Sequence, residues 1–399
     1  DSVRDMIGYI KAKLPKSFVI AGNVATPATN TLYDSATGQQ IGQKQTVGGV
    51  TTQTFATFDT WGRVATYTNS VGDVTTTTYV PYGTPGAGQI ATETTVDSAG
   101  VPVLTDAYTY DGTDILGGIE TRGLLTKKVV TTGAAQNNII TYNAAYNDLG
   151  DLVKQTSSGG LSQTYEYDDN GRLTDTSYSG TDASTGTPTD VTWFTWSKTF
   201  DTAGKISTLT GPSNAFNGAT TATKTFTYDT NHHLNTVTTQ GLGVTDCSQN
   251  SYSFDQFGDK TSITKGVGSA GACQSTSTNK TQTFNAYSQL TTAGYVYDAL
   301  GRNTTIPAAD TTTGTSNINL VYDSTDNVTS MTQGSNITTY GYDASGRNQT
   351  QTSGSTVTTD HFTDNSDSAS YTTQTSGGAL QQTDTYAGAI GDGLNITVS

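Results

Sequence analysis

Apolar and polar residues alternate in short runs through most of the chain. In Thr223-Lys224-Thr225-Phe226-Thr227-Tyr228, Phe226 and Tyr228 fall on one face of an extended segment and Thr225 and Thr227 on the other. That is the period of two that marks a β-strand. Val74-Thr75-Thr76-Thr77-Thr78-Tyr79-Val80 is built the same way. Only Asp5 to Leu14 reads as helix: Met6, Ile10 and Leu14 recur at every fourth position, Ile7 lies beside Met6, and Pro15 ends the pattern. The expectation there is a short helix packed over a sheet edge, or a linker helix.

Between the strand-like runs a self-similar unit recurs, and a repeat decides the architecture before any single element does. Its best copies are Phe58-Asp59-Thr60-Trp61-Gly62-Arg63-Val64, Tyr167-Asp168-Asp169-Asn170-Gly171-Arg172-Leu173 and Phe200-Asp201-Thr202-Ala203-Gly204-Lys205-Ile206. Tyr297-Asp298-Ala299-Leu300-Gly301-Arg302 and Tyr342-Asp343-Ala344-Ser345-Gly346-Arg347 are two more, and degenerate copies begin at Tyr33, Tyr110, Tyr146, Tyr228, Phe254, Phe284 and Tyr322. Each residue type has a mechanical reason to be there. The aromatic ends a strand, and the Asp carboxylate accepts backbone N–H groups two residues on. Gly supplies the positive φ that closes a short hairpin loop. Arg or Lys opens the return strand, placed to meet the Asp or to lie across a ring. Each unit therefore predicts one β-hairpin, and the aromatics of successive hairpins are expected to stack side by side as a ladder. The variable spacing suits hairpins with elastic loops better than a strict solenoid.

These Tyr-Asp-x-x-Gly-Arg copies resemble the YD repeats of the Rhs (rearrangement hot spot) and wall-associated proteins, relatives of the insecticidal toxin-complex shell and the teneurin shell. The resemblance runs from about Tyr33 to the end. His361-Phe362-Thr363-Asp364-Asn365-Ser366-Asp367-Ser368-Ala369 and Tyr386-Ala387-Gly388-Ala389-Ile390-Gly391-Asp392-Gly393-Leu394 are similar to the late repeat core of secreted actinobacterial members. The resemblance implies a strip of hairpins spiralling into a hollow shell, often around a C-terminal toxin. The Asp-Pro-rich terminating sequence with its self-cleavage aspartates does not occur in these residues, nor does a toxin domain. The chain is thus expected to be a stretch of shell wall stopped short of its closing end. The expected organisation is a linker over residues 1–30, a hairpin array over 31–360 and a late part of the repeat core over 361–399.

Composition narrows the class. Charged residues are 13% of the 399, against a usual quarter, and there are 44 Gly and 22 Tyr but 2 Met. Abundant Thr favours pleated strands over helices, which excludes a helical bundle and most α/β enzymes. A net charge of −15 with no basic stripe argues against a nucleic-acid partner. No apolar run approaches the ~20 residues of a membrane-spanning helix. Opening at Asp1, not Met, the chain reads as a piece of something longer. Cys247 and Cys273 bracket the Phe254-Asp255-Gln256-Phe257-Gly258 hairpin, so both reach its open end and are expected to form a disulfide.

Candidate chemistry is sparse. His232 and His233 fall in the turn after Tyr228-Asp229, too few for a metal site. His361 stands near Asp360 and Asp364, the makings of a base and its orienter, but no nucleophile setting accompanies it. Asp364-Asn365-Ser366-Asp367 and Asp168-Asp169-Asn170 lack the full spacing of a calcium loop. Trp61, Trp193 and Trp196 offer stacking surfaces for a glycan, and Asn279, Asn303 and Asn395 open sequons. The resulting expectation is an all-β strip of consecutive antiparallel hairpins forming a curved wall, with no catalytic residue, cofactor or metal. Its expected role is structural, extracellular or at the cell surface, with the rest of its own chain or a cargo domain as partner. An adhesin or filament subunit self-associating through sheet edges is the first rival. A carbohydrate-active β-helix or tailspike-like enzyme is the second.

Overall fold

A computed structural model describes residues 28–398 apart from 48, 134–137, 182–189, 213–220, 242–245, 270–271 and 389–394. The helix expected over Asp5–Leu14 lies outside the described residues. Within them the alternating runs become strands, and the only helical element is a short 3-10 turn, Ala308–Asp310. No described helix is long and apolar enough to cross a membrane.

Nineteen strands, from Ala28–Tyr33 to Thr276–Thr281, form a first sheet, and ten, from Val296–Tyr297 to Asn395–Val398, form a second. Every register joins a strand to its neighbour in sequence, antiparallel throughout. Such a meander is what hairpin after hairpin must produce. Among the described residues no register joins Ala28–Tyr33 to Thr276–Thr281, so the first sheet is an open strip rather than a barrel. Between the sheets a single bridge, Phe284 to Leu290, carries one further small hairpin. The second sheet runs through residue 361 without a break, because Thr356–His361 pairs with Tyr371–Ser376.

The motif aromatics sit at a bulge. Thr57 faces Thr66 while Phe58 faces Val64, so Ala65 is extra, and the same one-residue slip falls at Tyr167, Phe200, Tyr228, Tyr297, Tyr322 and Tyr342. A repeated bulge adds twist at a repeated place, which bends a long strip instead of leaving it flat. The apolar core is shallow: Leu104, Val130, Tyr142 and Ala144 are buried together under Leu125, Ile140, Tyr146 and Leu152. Elsewhere cross-strand hydroxyl pairs take over, as in Thr57–Thr66 (2.7 Å), Thr78–Thr92 (2.6 Å), Thr199–Thr208 (2.6 Å) and Thr227–Thr236 (2.6 Å). Opposed threonines satisfy one another on a hydrated face, so that face needs no second layer.

At the turns Gly62, Gly171, Gly204, Gly301 and Gly346 have φ between +73° and +84°. The structure pairs Cys247 with Cys273 at the open end of the Asp255–Asp259 hairpin, with Cα atoms 5.0 Å apart. A Cβ at Gly171 would meet nothing within 4 Å, so its conformation and not space restricts the position. Gly171→Ala should accordingly lower unfolding free energy by about 1 kcal/mol, read by urea denaturation. An unchanged midpoint would mean that the turn relaxes.

Candidate functional site: the staples and the buried junction

The turn unit is a set of hydrogen bonds centred on one carboxylate. Asp59 Oδ1 accepts the N–H groups of Trp61 (2.8 Å) and Arg63 (2.9 Å), while Oδ2 accepts Arg63 Nε (2.8 Å). Asp168 with Arg172, Asp298 with Arg302 and Asp343 with Arg347 repeat that pattern. The hydrogen bonds of Arg172 hold the Asp168 carboxyl below its ordinary value.

The cation then reaches across to the next hairpin. Arg63 lies 3.9 Å from the ring centroid of Tyr79, Arg172 4.3 Å from Phe200, Lys205 4.5 Å from Tyr228, Arg302 4.7 Å from Tyr322 and Arg347 3.9 Å from Phe362. It also donates to carbonyls of the following turn: Lys205 Nζ to His232 (2.8 Å), Arg302 to Asp323 (2.7 Å), Arg347 to Asp364 (2.8 Å) and Ser366 (2.7 Å). In return, tyrosine hydroxyls donate to a carbonyl at the bulge of the hairpin before, Tyr79 to Val64, Tyr228 to Ile206, Tyr322 to Asn303 and Tyr342 to Val328, all at 2.8–2.9 Å. This corrects the expected ring-on-ring ladder. Consecutive motif aromatics stand two strands apart, about 9.5 Å, and the guanidinium fills that gap. His233 shows the rule by exception: standing in the Arg position, it meets Asp229 at 3.1 Å and lies on Phe254 at 4.7 Å.

One turn deviates with consequence. In Asn69–Asp73 an Asn takes the Asp position and Asp73 the Arg position; Asn69 Oδ1 accepts Val71 and Asp73 N–H groups, and its Nδ2 donates to Asp73 Oδ2 at 2.9 Å. Asp73 Oδ2 also receives Tyr371 Oη (2.7 Å) and lies 2.6 Å from His361 Nδ1. Arg347 donates to the Tyr67 hydroxyl (2.8 Å) and Asn69 Nδ2 to the Phe362 carbonyl (3.2 Å). Residues up to 298 positions apart thus form one buried polar junction, in which Arg347 and the 361–371 stretch of the second sheet meet Tyr67, Asn69 and Asp73 of the first. Tyr67, Asn69, Asp73, Asp343, Arg347, Phe362 and Tyr371 are all buried.

Burial pushes the Asp73 carboxyl up, but the hydrogen bonds from His361, Asn69 and Tyr371 outweigh it and hold the group below 3.8. Burial, with Asp73 beside it, pushes the Tyr371 phenol up. Ionised Asp73 only accepts, so His361 carries its proton on Nδ1. Nε2 lies 2.9 Å from Thr373 Oγ1, and the ring stacks on Tyr371 at 4.1 Å. The Asp73–His361–Thr373 line has the order of a hydrolytic triad. Two cavities flank the junction, of about 440 and 500 Å³, and neither is lined by His361 or Thr373. His361 is buried, and through it the line ties the second sheet to the first as a latch. Glu93 and Asp106 oppose each other across two strands, but the Tyr108 hydroxyl binds both, at 2.8 and 3.3 Å. No group of three potential metal ligands occurs among the described residues.

All five sequence-identified turns adopt the same geometry, and Arg347–Asp343 enters the junction. Asp73, Asn69, Tyr67 and Tyr371 were not singled out from sequence. The inverted Asn-x-x-Gly-Asp turn marks Asn69 and Asp73, but Asn147–Asp151 makes the same turn, so the pattern does not single out the junction. His361 takes its carboxylate from Asp73, not from Asp360 or Asp364.

The meander, the bulged motif turns and their cation staples define a YD-repeat protein. The model of the RHS Repeat family matches residues 146–185, so the chain carries Rhs/YD repeats. It is also 78% identical over 27 residues to a GMP reductase of Delftia acidovorans and 74% over 27 residues to that of Variovorax paradoxus, in each case 7% of this chain. The chain spans 8% of the length of those curated relatives, so nothing of their activity transfers. Among solved structures it is similar to TcdB2-TccC3 without its hypervariable C-terminal region, at 12% identity and TM-score 0.33 over 88% of this chain and 22% of that one. A Photorhabdus luminescens Tc holotoxin pore gives 12% identity and TM-score 0.28 over 88% and 21%. Overlays that loose carry no further argument.

Two outcomes follow for the junction. Arg347→Ala strands the wholly buried Asp343 and should cost about 3–5 kcal/mol, whereas Arg63→Ala, at a half-exposed pair, should shift the urea midpoint far less. Because the Asp73 value is depressed on folding, its stabilisation is complete above the unfolded value and is lost as pH falls through the lower folded one. Wild type should therefore lose its stability advantage over Asp73→Asn below pH 3.8; an advantage independent of pH would show Asp73 to be protonated throughout.

Proposed function

We propose that the chain is a structural wall segment of a larger exported protein, with no catalytic role of its own, and that the wall encloses a C-terminal toxin cargo. The observation that carries this reading is the return contact: His361, Tyr371 and Arg347 of the second sheet close on Asp73, Asn69 and Tyr67 of the first. A strip that comes round to touch itself bounds a space, whereas a fibre or a flat platform has no need of such a contact. Support comes also from the RHS Repeat match and from a disulfide, which persists in oxidising compartments. The hydroxyl- and amide-rich faces suit water on both sides of a thin wall. The net charge of −15 suits a soluble outer surface.

Small-angle X-ray scattering tests the wall. Twenty-nine strands laid flat would extend about 135 Å, and a strip returning on itself must be much shorter. A maximum dimension near the flat value would sink the reading. Enclosure is tested on the full-length gene product: a segment held inside resists protease in the intact protein and is degraded when expressed alone. Equal cleavage in the two settings would leave a wall with nothing inside.

A further inference from the structure

The shallow apolar core of the first sheet carries charges. In its registers Glu93 faces Asp106, Tyr108 faces Lys128, and Lys128 faces Tyr142 on the other side. Residues two apart on a strand share a face, so all of these project on the side of Leu104, Val130, Tyr142 and Ala144, the buried apolar cluster. Two carboxylates set directly opposite each other on such a face are a costly arrangement. None of these residues belongs to a turn motif, so the hairpin geometry does not call for them.

Lys128 Nζ lies 3.0 Å from Asp106 Oδ2, and the two side chains are only 12% and 16% exposed. The Tyr108 hydroxyl stands between the carboxyls, 2.8 Å from Glu93 Oε2 and 3.3 Å from Asp106 Oδ2, and its ring centroid is 5.6 Å from Lys128 Nζ. Asp106 Oδ1 is buried without a hydrogen-bond partner. An ion pair here leaves a carboxylate oxygen unanswered, and a buried ion pair gains little over neutral groups in the same space. An amine and a carboxyl held in contact away from water are also the reactants of an amide, at a very high effective concentration. Burial, reinforced by Asp106 and by Asp364 of the second sheet, pushes the Glu93 carboxyl up against the Tyr108 hydrogen bond and the Lys128 charge. Glu93 is thereby biased toward carrying a proton, which the Tyr108 hydroxyl can pass to Oδ2.

We propose that the chain joins Lys128 to Asp106 through an isopeptide bond that it forms itself. The ion pair first passes a proton from Nζ to the carboxylate, which gives a neutral amine and a carboxylic acid. The amine lone pair attacks Cγ, the Cγ–Oδ2 bond breaks, and Oδ2 departs as water. Glu93, acting through Tyr108, gives a proton to the departing oxygen and recovers the one that the amine sheds. Ammonium and carboxylate thus become one amide and one water, with no oxidant or co-reactant. Oδ1 stays as the amide oxygen, and both charges leave the apolar face. The bond ties Pro102–Thr113 to Ile119–Thr132, the longest pair of strands among the described residues. Whether the wall encloses anything has no bearing on it.

Mass spectrometry of the intact chain, with the Cys247–Cys273 disulfide reduced, tests the proposal. Wild type should be lighter than its sequence by one water, and trypsin should release a branched peptide joining Asp106 to Lys128. Lys128→Arg keeps the cation and should show the full sequence mass. Glu93→Gln, with an unchanged far-UV spectrum, should slow the linkage by about a hundredfold or more and emerge from a short cell-free synthesis mostly unlinked. A wild type of full sequence mass would mean an ion pair only and would overturn the proposal. So would a lost water that a branched Asp106–Lys128 peptide does not account for. Linkage of Glu93→Gln at the wild-type rate would remove Glu93 from the proton path. Should that variant not fold, the wild-type mass and its branched peptide decide.

Discussion

The strip depends on a cation shared between neighbours. Each Arg is fixed by a carboxylate of its own turn and then spends its remaining donors and its flat face on the next hairpin. An isolated two-stranded hairpin is marginal in water, so a chain of hairpins survives only if each is tied to the following one by more than ladder hydrogen bonds. The guanidinium supplies that tie in two forms, ring contact and carbonyl contact, and the tyrosine hydroxyl adds a third in the reverse direction. Arg suits the place because its planar fork serves carboxylate, ring and carbonyl together. Lys205, with a point charge, meets the Tyr228 ring and the carbonyl of His232 with its ammonium and Asp201 with its backbone N–H.

A wall built in this way buries little apolar surface, and long-range contacts must come from polar groups. The junction shows what that demands. Asp73, placed where a cation ordinarily stands, is desolvated and so needs every donor it can gather; His361, Tyr371 and Asn69 provide three. A carboxylate with so many fitted donors tolerates few alternative positions for the second sheet. Register between distant parts of the strip is thereby fixed by chemistry that a greasy contact, indifferent to sliding, would not impose.

Much of this was legible in sequence. Alternation gave strands, and the Asp-x-x-Gly-Arg spacing gave the turns, because both are local and each residue type has a steric or hydrogen-bonding reason to be where it is. The junction was not legible. Asp73 and His361 are 288 residues apart, and no local rule says which turn of a curved strip will lie over which. The ring ladder failed for a related reason: strand periodicity gives the face of Tyr228 but not the two-strand gap to its counterpart, nor what fills it. Phe58 and Val64 mark a bulge whose extra residue, Ala65, leaves no compositional trace.

The return contact also sets a bore. Strands Val74–Tyr79 and Thr356–His361 are the fifth and twenty-sixth in chain order, 21 steps apart without counting the small Phe284–Leu290 hairpin between the sheets. At about 4.8 Å per step that circuit is about 100 Å, or about 32 Å across if round. Side chains projecting inward take about 10 Å of that width, judged from the spacing of packed sheets. About 20 Å remains, while a folded domain of ~100 residues, with a radius of gyration near 13 Å, needs over 30 Å. On the proposed enclosure, a passage of this calibre would admit an extended or helical chain and turn away a folded domain, so anything threaded through this turn of the wall would travel without its tertiary structure.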